Sequence, residues 1–435
     1  MEPATASFVL IGVMFLCLAS GVWIGLALGL VGFISFAVMT NTSPALSFGT
    51  TLWGSMNSWT LTALPMFIWM GEILFRSTLS DDMFKGLAPW MQRLPGRLLH
   101  TNVFGCGIFA AISGSSAATA ATIGRMTIPE LRKRGYDDFM NIGSLAGSGT
   151  LGLLIPPSII MIVYGVAAEV SIARLFIAGV VPGIVLMLIF SGVLIVWALM
   201  NPTKVPPRDA PMSLRAKLHE SRRLIPIVGL IVLVIGSIYT GIATPTESAV
   251  LGVVGSFALT LATRTFSWKM FSDSLMGAVR TNAMIGLILA GASFLTVAMG
   301  FTGLPRIFAD WINSFGLSNV ALIAALTVVF IILGCLIDGI SMVVLTAAVV
   351  LPAVKAAGID LVWFGIFIVL VVEMAQVTPP VGFNLFVLQG LTGRSMGYIA
   401  LAALPFFFAM IAMVVIIVIF PELATWLPNQ MLGQR

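Results

Sequence analysis

Hydrophobic residues run through this chain in long blocks, and polar positions fall mostly between the blocks or at a few points inside them. A helix that crosses a bilayer needs about 20 mainly apolar residues. Blocks at 4–19, 21–40, 59–76 and 175–200, and later at 224–240, 244–263, 283–302 and 396–420, reach or approach that length and predict crossing helices. Four other apolar segments, 98–133, 139–167, 319–356 and 361–390, are interrupted by Gly, Ser, Thr and Pro. In 81–94 and 304–316, apolar residues such as Phe84, Leu87, Ile307 and Trp311 recur at helical spacing among polar ones. That pattern predicts helices lying flat at an interface, or ordinary connecting helices.

The two sets of segments are copies of each other. A shift of 223 positions carries Pro129 onto Pro352, Gly135 onto Gly358, Asp137 onto Asp360 and Pro156-Pro157 onto Pro379-Pro380. The same shift places Pro182 on Pro405 and Gly29 and Gly32 on Gly252 and Gly255. Such a gap-free register is an internal repeat. It gives a first repeat over 1–200, a polar cytoplasmic linker over 201–223 and a second repeat over 224–435.

Charge placement orients the copies. If each holds five crossings plus a hairpin (98–133 or 319–356) that enters and leaves on one side, the second copy must be inverted. Of the 22 lysines and arginines, 18 then fall on one side and only Arg174, Arg306, Lys355 and Arg435 on the other. Cytoplasmic loops are the ones enriched in Lys and Arg, so the N-terminus is expected outside. The expected fold is an all-α polytopic membrane protein: an inverted-topology repeat with two re-entrant hairpins and two broken helices.

Composition agrees. The 435 residues are 59% hydrophobic and 9% charged, against about 25% charge in soluble domains; mean hydropathy is +1.08. No basic run exceeds Arg132-Lys133-Arg134, so nucleic acid is not an expected partner. Cys17, Cys106 and Cys335 lack metal-ligand spacing and read as apolar packing residues. The start lacks a positive leader and reads as a retained first helix. Enzyme chemistry finds no footing: His100 and His219 have no HExxH or nucleophile partner, and no GxxxxGK[ST] loop exists for an ATP-driven pump. No cofactor is expected.

Inverted repeats with broken helices place their sites near the membrane midplane, because irregular backbone there must be satisfied by protein or by a water-filled cavity. The breaks are Ser113-Gly114-Ser115-Ser116-Ala117-Ala118-Thr119, Gly149-Thr150-Leu151-Gly152-Leu153-Leu154-Ile155-Pro156-Pro157-Ser158, Ile337-Asp338-Gly339-Ile340-Ser341 and Gln376-Val377-Thr378-Pro379-Pro380-Val381-Gly382-Phe383-Asn384. Tandem prolines remove two donors, and the carbonyls so freed, beside Ser and Thr hydroxyls, make a hard-oxygen shell suited to Na⁺. Half-helix N-termini in the same cavity suit an anion. Among embedded charges, Glu247 fits a capping box (Thr244-Pro245-Thr246-Glu247). Asp338 reads as an ion-site or a tip-stabilising residue, Glu373 as scaffold or ion contact. Glu72 is expected to reach the interface, and Arg125 either to snorkel or to attract an anionic substrate.

Those same segments, with Ala243-Thr244-Pro245-Thr246-Glu247 and Thr378-Pro379-Pro380-Val381-Gly382-Phe383-Asn384-Leu385, make the chain similar to the large membrane subunit of tripartite ATP-independent periplasmic (TRAP) transporters over nearly its whole length. The resemblance implies an elevator-type, Na⁺-driven importer of an organic anion, such as a C4-dicarboxylate or sialic acid, in the bacterial inner membrane. It implies two partners, a small membrane subunit and a periplasmic substrate-binding protein. Carried onto this sequence, it implies Na⁺ sites at Ser113, Gly114, Ser116, Thr150, Gly152 and Pro156, and at Asp338, Gly339, Thr378 and Pro380. Substrate contacts are implied at Ser115, Ser158, Ser341, Gly382 and Asn384, with Arg125 as a departure from the family pattern. A stand-alone Na⁺/dicarboxylate symporter is the alternative.

Overall fold

The structure, a computed structural model, describes residues 3–433 apart from 41, 78, 209–211, 303–317, 336 and 381. The described residues form helices and connections, with no strand among them. Among the described residues five helices are long and apolar enough to cross a membrane, and up to eight if each bent pair counts as one span.

The two halves share their punctuation. Ser115 and Asp338, one repeat apart, each cap the returning helix of a hairpin, Ser116–Lys133 and Gly339–Ala356. Asp137 and Asp360 each cap the next helix by accepting a backbone N–H, which satisfies a donor that the first turn leaves open. Between them, Gly135 and Gly358 take φ of +77° and +70°, the left-handed turn that ends a helix most cheaply at glycine. Both proline pairs contain a cis bond, Pro156-Pro157 and Pro379-Pro380.

Around these breaks the chain builds two hairpins and two interrupted helices. The first hairpin pairs His100–Ser113 with Ser116–Lys133, and the second pairs Asn319–Gly334 with Gly339–Ala356. The first broken helix runs from Asp138 to Leu154 and resumes over Ile159–Ala168 at a 41° bend. Its counterpart is Leu361–Gln376 followed by Phe383–Thr392. The second hairpin's returning arm bends by 61° at residue 348, four residues before Pro352, whose ring crowds the carbonyl at that position. The halves interlock: Gly143 and Gly147 press against Ala402 and Phe406 of the long helix Met396–Ile419, the close small-residue approach common between membrane helices.

The flanks differ in places from the sequence expectation. A helix over Pro44–Met56 precedes the expected span and joins Trp59–Phe75 at a 61° bend. Its Ser, Thr and Gly content lowers hydropathy below that of a span, and it buries no residue. The span expected at 283–302 begins at Trp268 and runs 35 residues, so Lys269, Asp273 and Arg280 are helical rather than connecting. Part of 201–223 is also helical, Leu214–Ser221, and a further helix covers Glu422–Leu432. The flat segment at 81–94 is the helix Leu79–Met91, which buries Met83, Phe84 and Leu87 and leaves Trp90 exposed. The segment 304–316 lies outside the described residues.

Candidate functional site

At the tip of the first hairpin the chain reverses at Gly114, with φ +63°, where a Cβ would be strained. Ser113 and Thr119 bring their hydroxyl oxygens to 2.6 Å, and Thr119 Oγ1 donates to the Ser115 carbonyl at 2.8 Å. The first broken helix packs directly on this tip. A Cβ on Gly152 would come within 2.6 Å of the Ser115 carbonyl oxygen and 2.7 Å of Thr119 Oγ1, so glycine is what lets the two backbones meet. Past the break, the Ile159 amide donates to the Gly114 carbonyl at 3.2 Å, and Ser158 caps the resumed helix by accepting from Met161 N.

Pro156 and Pro157 have no N–H, so the carbonyls of Gly152 and Leu153, four residues earlier, have no helical donor. Ser113, Gly114, Ser115, Gly152, Pro156 and Ser158 therefore share one oxygen-rich junction. Thr150 does not join it with its side chain: the hydroxyl donates to the Gly147 carbonyl at 2.6 Å and faces Met410 Sδ at 3.6 Å.

In the second half Asp338 is spent on its tip. Its carboxylate accepts from Ile340 N and Ser341 N at 3.1 Å each, and the Ser341 hydroxyl also donates to it. Gly339 lies against the second broken helix, where a Cβ would meet Val372, the Gln376 amide nitrogen at 3.1 Å and Ile160 of the other half. Thr378 donates its hydroxyl to the Met374 carbonyl at 2.7 Å. The carbonyls of Gln376 and Thr378 turn toward Gly382, where a Cβ would lie 3.1 Å and 2.9 Å from them. Pro380 is exposed. Thr378 and Pro379 also border an apolar cavity of about 370 Å³ against the helix Met396–Ile419.

Two fully buried side chains connect and mark this core. Glu373 accepts a hydrogen bond from Ser116 Oγ, 257 residues away in sequence, and so ties the second broken helix to the first hairpin. Ser116 opens its helix, so the carboxylate sits where the helix dipole favours negative charge. The other oxygen, Oε2, has no donor in hydrogen-bond geometry, although the Leu153 backbone is close enough to act on the carboxyl. Glu373 thus has the scaffolding bond that the sequence offered as one of its two readings. Asn384 is the second marker. It has no exposed surface, and among the described residues neither its amide oxygen nor its nitrogen finds a partner. Leaving a buried polar group unpaired costs about 1–3 kcal/mol.

Some placements were not foreseen. Thr119 belongs to the quoted motif but was given no role, and Thr122, one turn on, is buried with an unpartnered hydroxyl. Their i, i+3 spacing on one helix face was the available signal. Arg125 stands apart from the tip, nine residues and roughly 13 Å along the returning arm. Its guanidinium lies 4.2 Å from the Phe75 ring centroid and donates to the Ala121 carbonyl. Glu72 pairs with Arg76, and Glu247 closes the expected capping box with Thr244.

Comparison with known proteins now becomes informative. Residues 11–423 match the family described as tripartite ATP-independent periplasmic transporter, DctM component. The chain is 32% identical over 404 residues to the C4-dicarboxylate TRAP transporter large permease protein DctM of Pseudomonas aeruginosa, covering 93% of this chain and 94% of that one. It is 31% identical over 420 residues to the isethionate TRAP transporter permease protein DctMQ of Oleidesulfovibrio alaskensis, covering 95% of this chain and 65% of that one. Among solved structures, the YdaH transporter of Alcanivorax borkumensis, reported to have an unusual topology, superposes with a TM-score of 0.60 over 93% of this chain and 96% of that one, at 14% identity. That likeness speaks to the fold alone.

Proposed function

This chain belongs to the family of the DctM component of tripartite ATP-independent periplasmic transporters and is a large multi-pass permease subunit; on that premise we propose that it imports an organic anion on a Na⁺ gradient. The observation that supports this reading best is the meeting of hairpin tips and broken helices in one buried core, with Gly152 seated on Ser115 and Thr119, and Gly339 seated on Val372 and Gln376. Hydroxyl and carbonyl oxygens that helical bonding leaves free are thereby gathered close to the Glu373 carboxylate on Ser116, a setting that suits a hard monovalent cation.

One Na⁺ site is built from Ser113, Gly114 and Ser116 with the backbone from Thr150 to Pro156, and the other from Gly339, Thr378 and Pro380, with Asp338 holding the second tip rigid. The anion takes the place beside Asn384, between Ser158 and Gly382, where a carboxylate would give the stranded amide its partner. Ser115 serves that pocket as a helix cap and Ser341 as the donor to the capping Asp338, and Arg125 attracts the anion from a distance. The two hairpins and two broken helices move as one body against the flanking helices in an elevator cycle.

The family is tripartite by description, and the isethionate relative carries the compound name DctMQ. The partners proposed here are accordingly a small membrane subunit and a periplasmic substrate-binding protein, with the chain in the inner membrane and its N-terminus on the periplasmic side. Relatives named for a dicarboxylate and for a sulfonate share an anionic group, and that is the substrate class proposed here.

The test is reconstitution in liposomes with and without the two partners, followed by uptake of labelled organic acids under an imposed Na⁺ gradient. Uptake is expected only with all components present and inward Na⁺. Uptake by this chain alone would instead establish a stand-alone symporter, and uptake indifferent to Na⁺ would remove the ion sites.

A further inference from the structure

Away from the hairpin tips lies a cavity of about 920 Å³. Its walls come from the helix Leu79–Met91, the returning arm of the first hairpin, the connection near Arg208 and the helix Leu214–Ser221. Six cations and two carboxylates line it. Both carboxylates are already engaged, Glu130 with Arg134 at 2.8 Å and Glu220 with Arg223 at 2.9 Å. No carboxylate among the described residues lies within ion-pair distance of Lys85, Arg93, Arg125, Arg208 or Lys217.

Lys217 is the telling member. It is only 8% exposed, yet among the described residues its ammonium has no acid within ion-pair distance and lies over the face of Trp90 at 5.7 Å. These five cations gathered around one cavity make a concave positive surface that favours an anion between them. Apart from Gln92, the remaining wall, with Phe84, Ala88, Pro89, Met126 and Met212, is apolar. Trp90 is partly exposed and donates its indole N–H to Ser221. Cationic walls backed by apolar ones, in a chain of membrane-crossing helices, match a phosphate joined to acyl chains.

We propose that this cavity binds the phosphate of an anionic phospholipid headgroup, held chiefly by Arg208 and Lys217. Because the cavity is walled by both a hairpin arm and the connection between the halves, the bound lipid fastens the first hairpin to the rest of the protein. The proposal rests on the permease reading only for the presence of a membrane, and its test does not use transport.

The test uses the full chain purified in detergent, delipidated and then offered phosphatidylglycerol, phosphatidylcholine or inorganic phosphate, with retained lipid counted by native mass spectrometry and Tm followed in parallel. Phosphatidylglycerol is expected to be retained and to raise Tm, while phosphatidylcholine does neither. Removing both charges with Lys217→Gln and Arg208→Gln should weaken retention about tenfold or more, the scale of one lost charge-assisted contact, and Lys217→Arg should preserve it and show that the fold tolerates change there. Protection by inorganic phosphate that disappears in the double variant would keep the site and assign it a soluble ligand. Equal retention of both lipids without any phosphate effect, or retention unchanged in the double variant, overturns the proposal. Uptake is not measured, so its failure and that of the transport reading are distinguishable.

Discussion

Asn384 shows the conflict between stability and function at the scale of one residue. Its amide is buried and unpartnered, so replacing it by a leucine of similar size removes an unpaired polar group and not a bond. Asn384→Leu is expected to leave Tm unchanged or raise it, by up to about 1–3 kcal/mol of stability, while uptake falls at least about tenfold. A loss of Tm with uptake retained would show that the amide has a structural partner. Sequence reasoning reached the tip residues because glycine and proline state their backbone needs in their own chemistry, as Gly114 and the Pro156-Pro157 pair do. It could not orient hydroxyls. Thr150 turns to the Gly147 carbonyl and Ser341 to Asp338, since Ser and Thr satisfy themselves on nearby groups whenever geometry allows.

Among elements, the decisive contact is the seat of the first broken helix on the first hairpin. A methyl group at Gly152 would press within 2.6 Å of a backbone oxygen that cannot swing aside. Gly152→Ala should therefore cost about 1–3 kcal/mol through overpacking and abolish uptake. Gly192→Ala, on a helix where the same Cβ meets nothing within 4 Å, should be neutral or slightly stabilising; thermal unfolding of the two variants checks the contrast. Caps such as Asp137 and Asp360 and the turn glycines Gly135 and Gly358 mark helix ends beside the breaks in the sequence itself. Pro44–Met56 was not legible there, since Ser47, Thr50, Thr51 and Ser55 dilute its hydropathy. The early start at Trp268 was hidden by Lys269, Asp273 and Arg280, which a hydropathy argument assigns to a connection.

At the scale of the molecule, inversion of the two halves makes a prediction about sides. Ile242 lies in an exposed turn and Lys269 near the start of the 35-residue helix, with one crossing, Pro245–Ala262, between them. In a background lacking Cys17, Cys106 and Cys335, a cysteine in place of Ile242 should react with an impermeant maleimide in intact cells, and one in place of Lys269 only after permeabilisation. The reverse pattern would invert the proposed orientation, and labelling of both from outside would remove the crossing.

The bond between Ser116 and Glu373 also has a meaning in time. The two residues are 257 positions apart, and ribosomes add roughly 5–20 residues per second, so about 13–50 s separate their emergence. For that interval the first hairpin must stay in the membrane without the carboxylate that finally binds it. What holds it is local: the Gly114 carbonyl can receive the Ile159 amide as soon as the first broken helix is made. The newborn first half therefore keeps its own tip closed while it waits for the second to arrive.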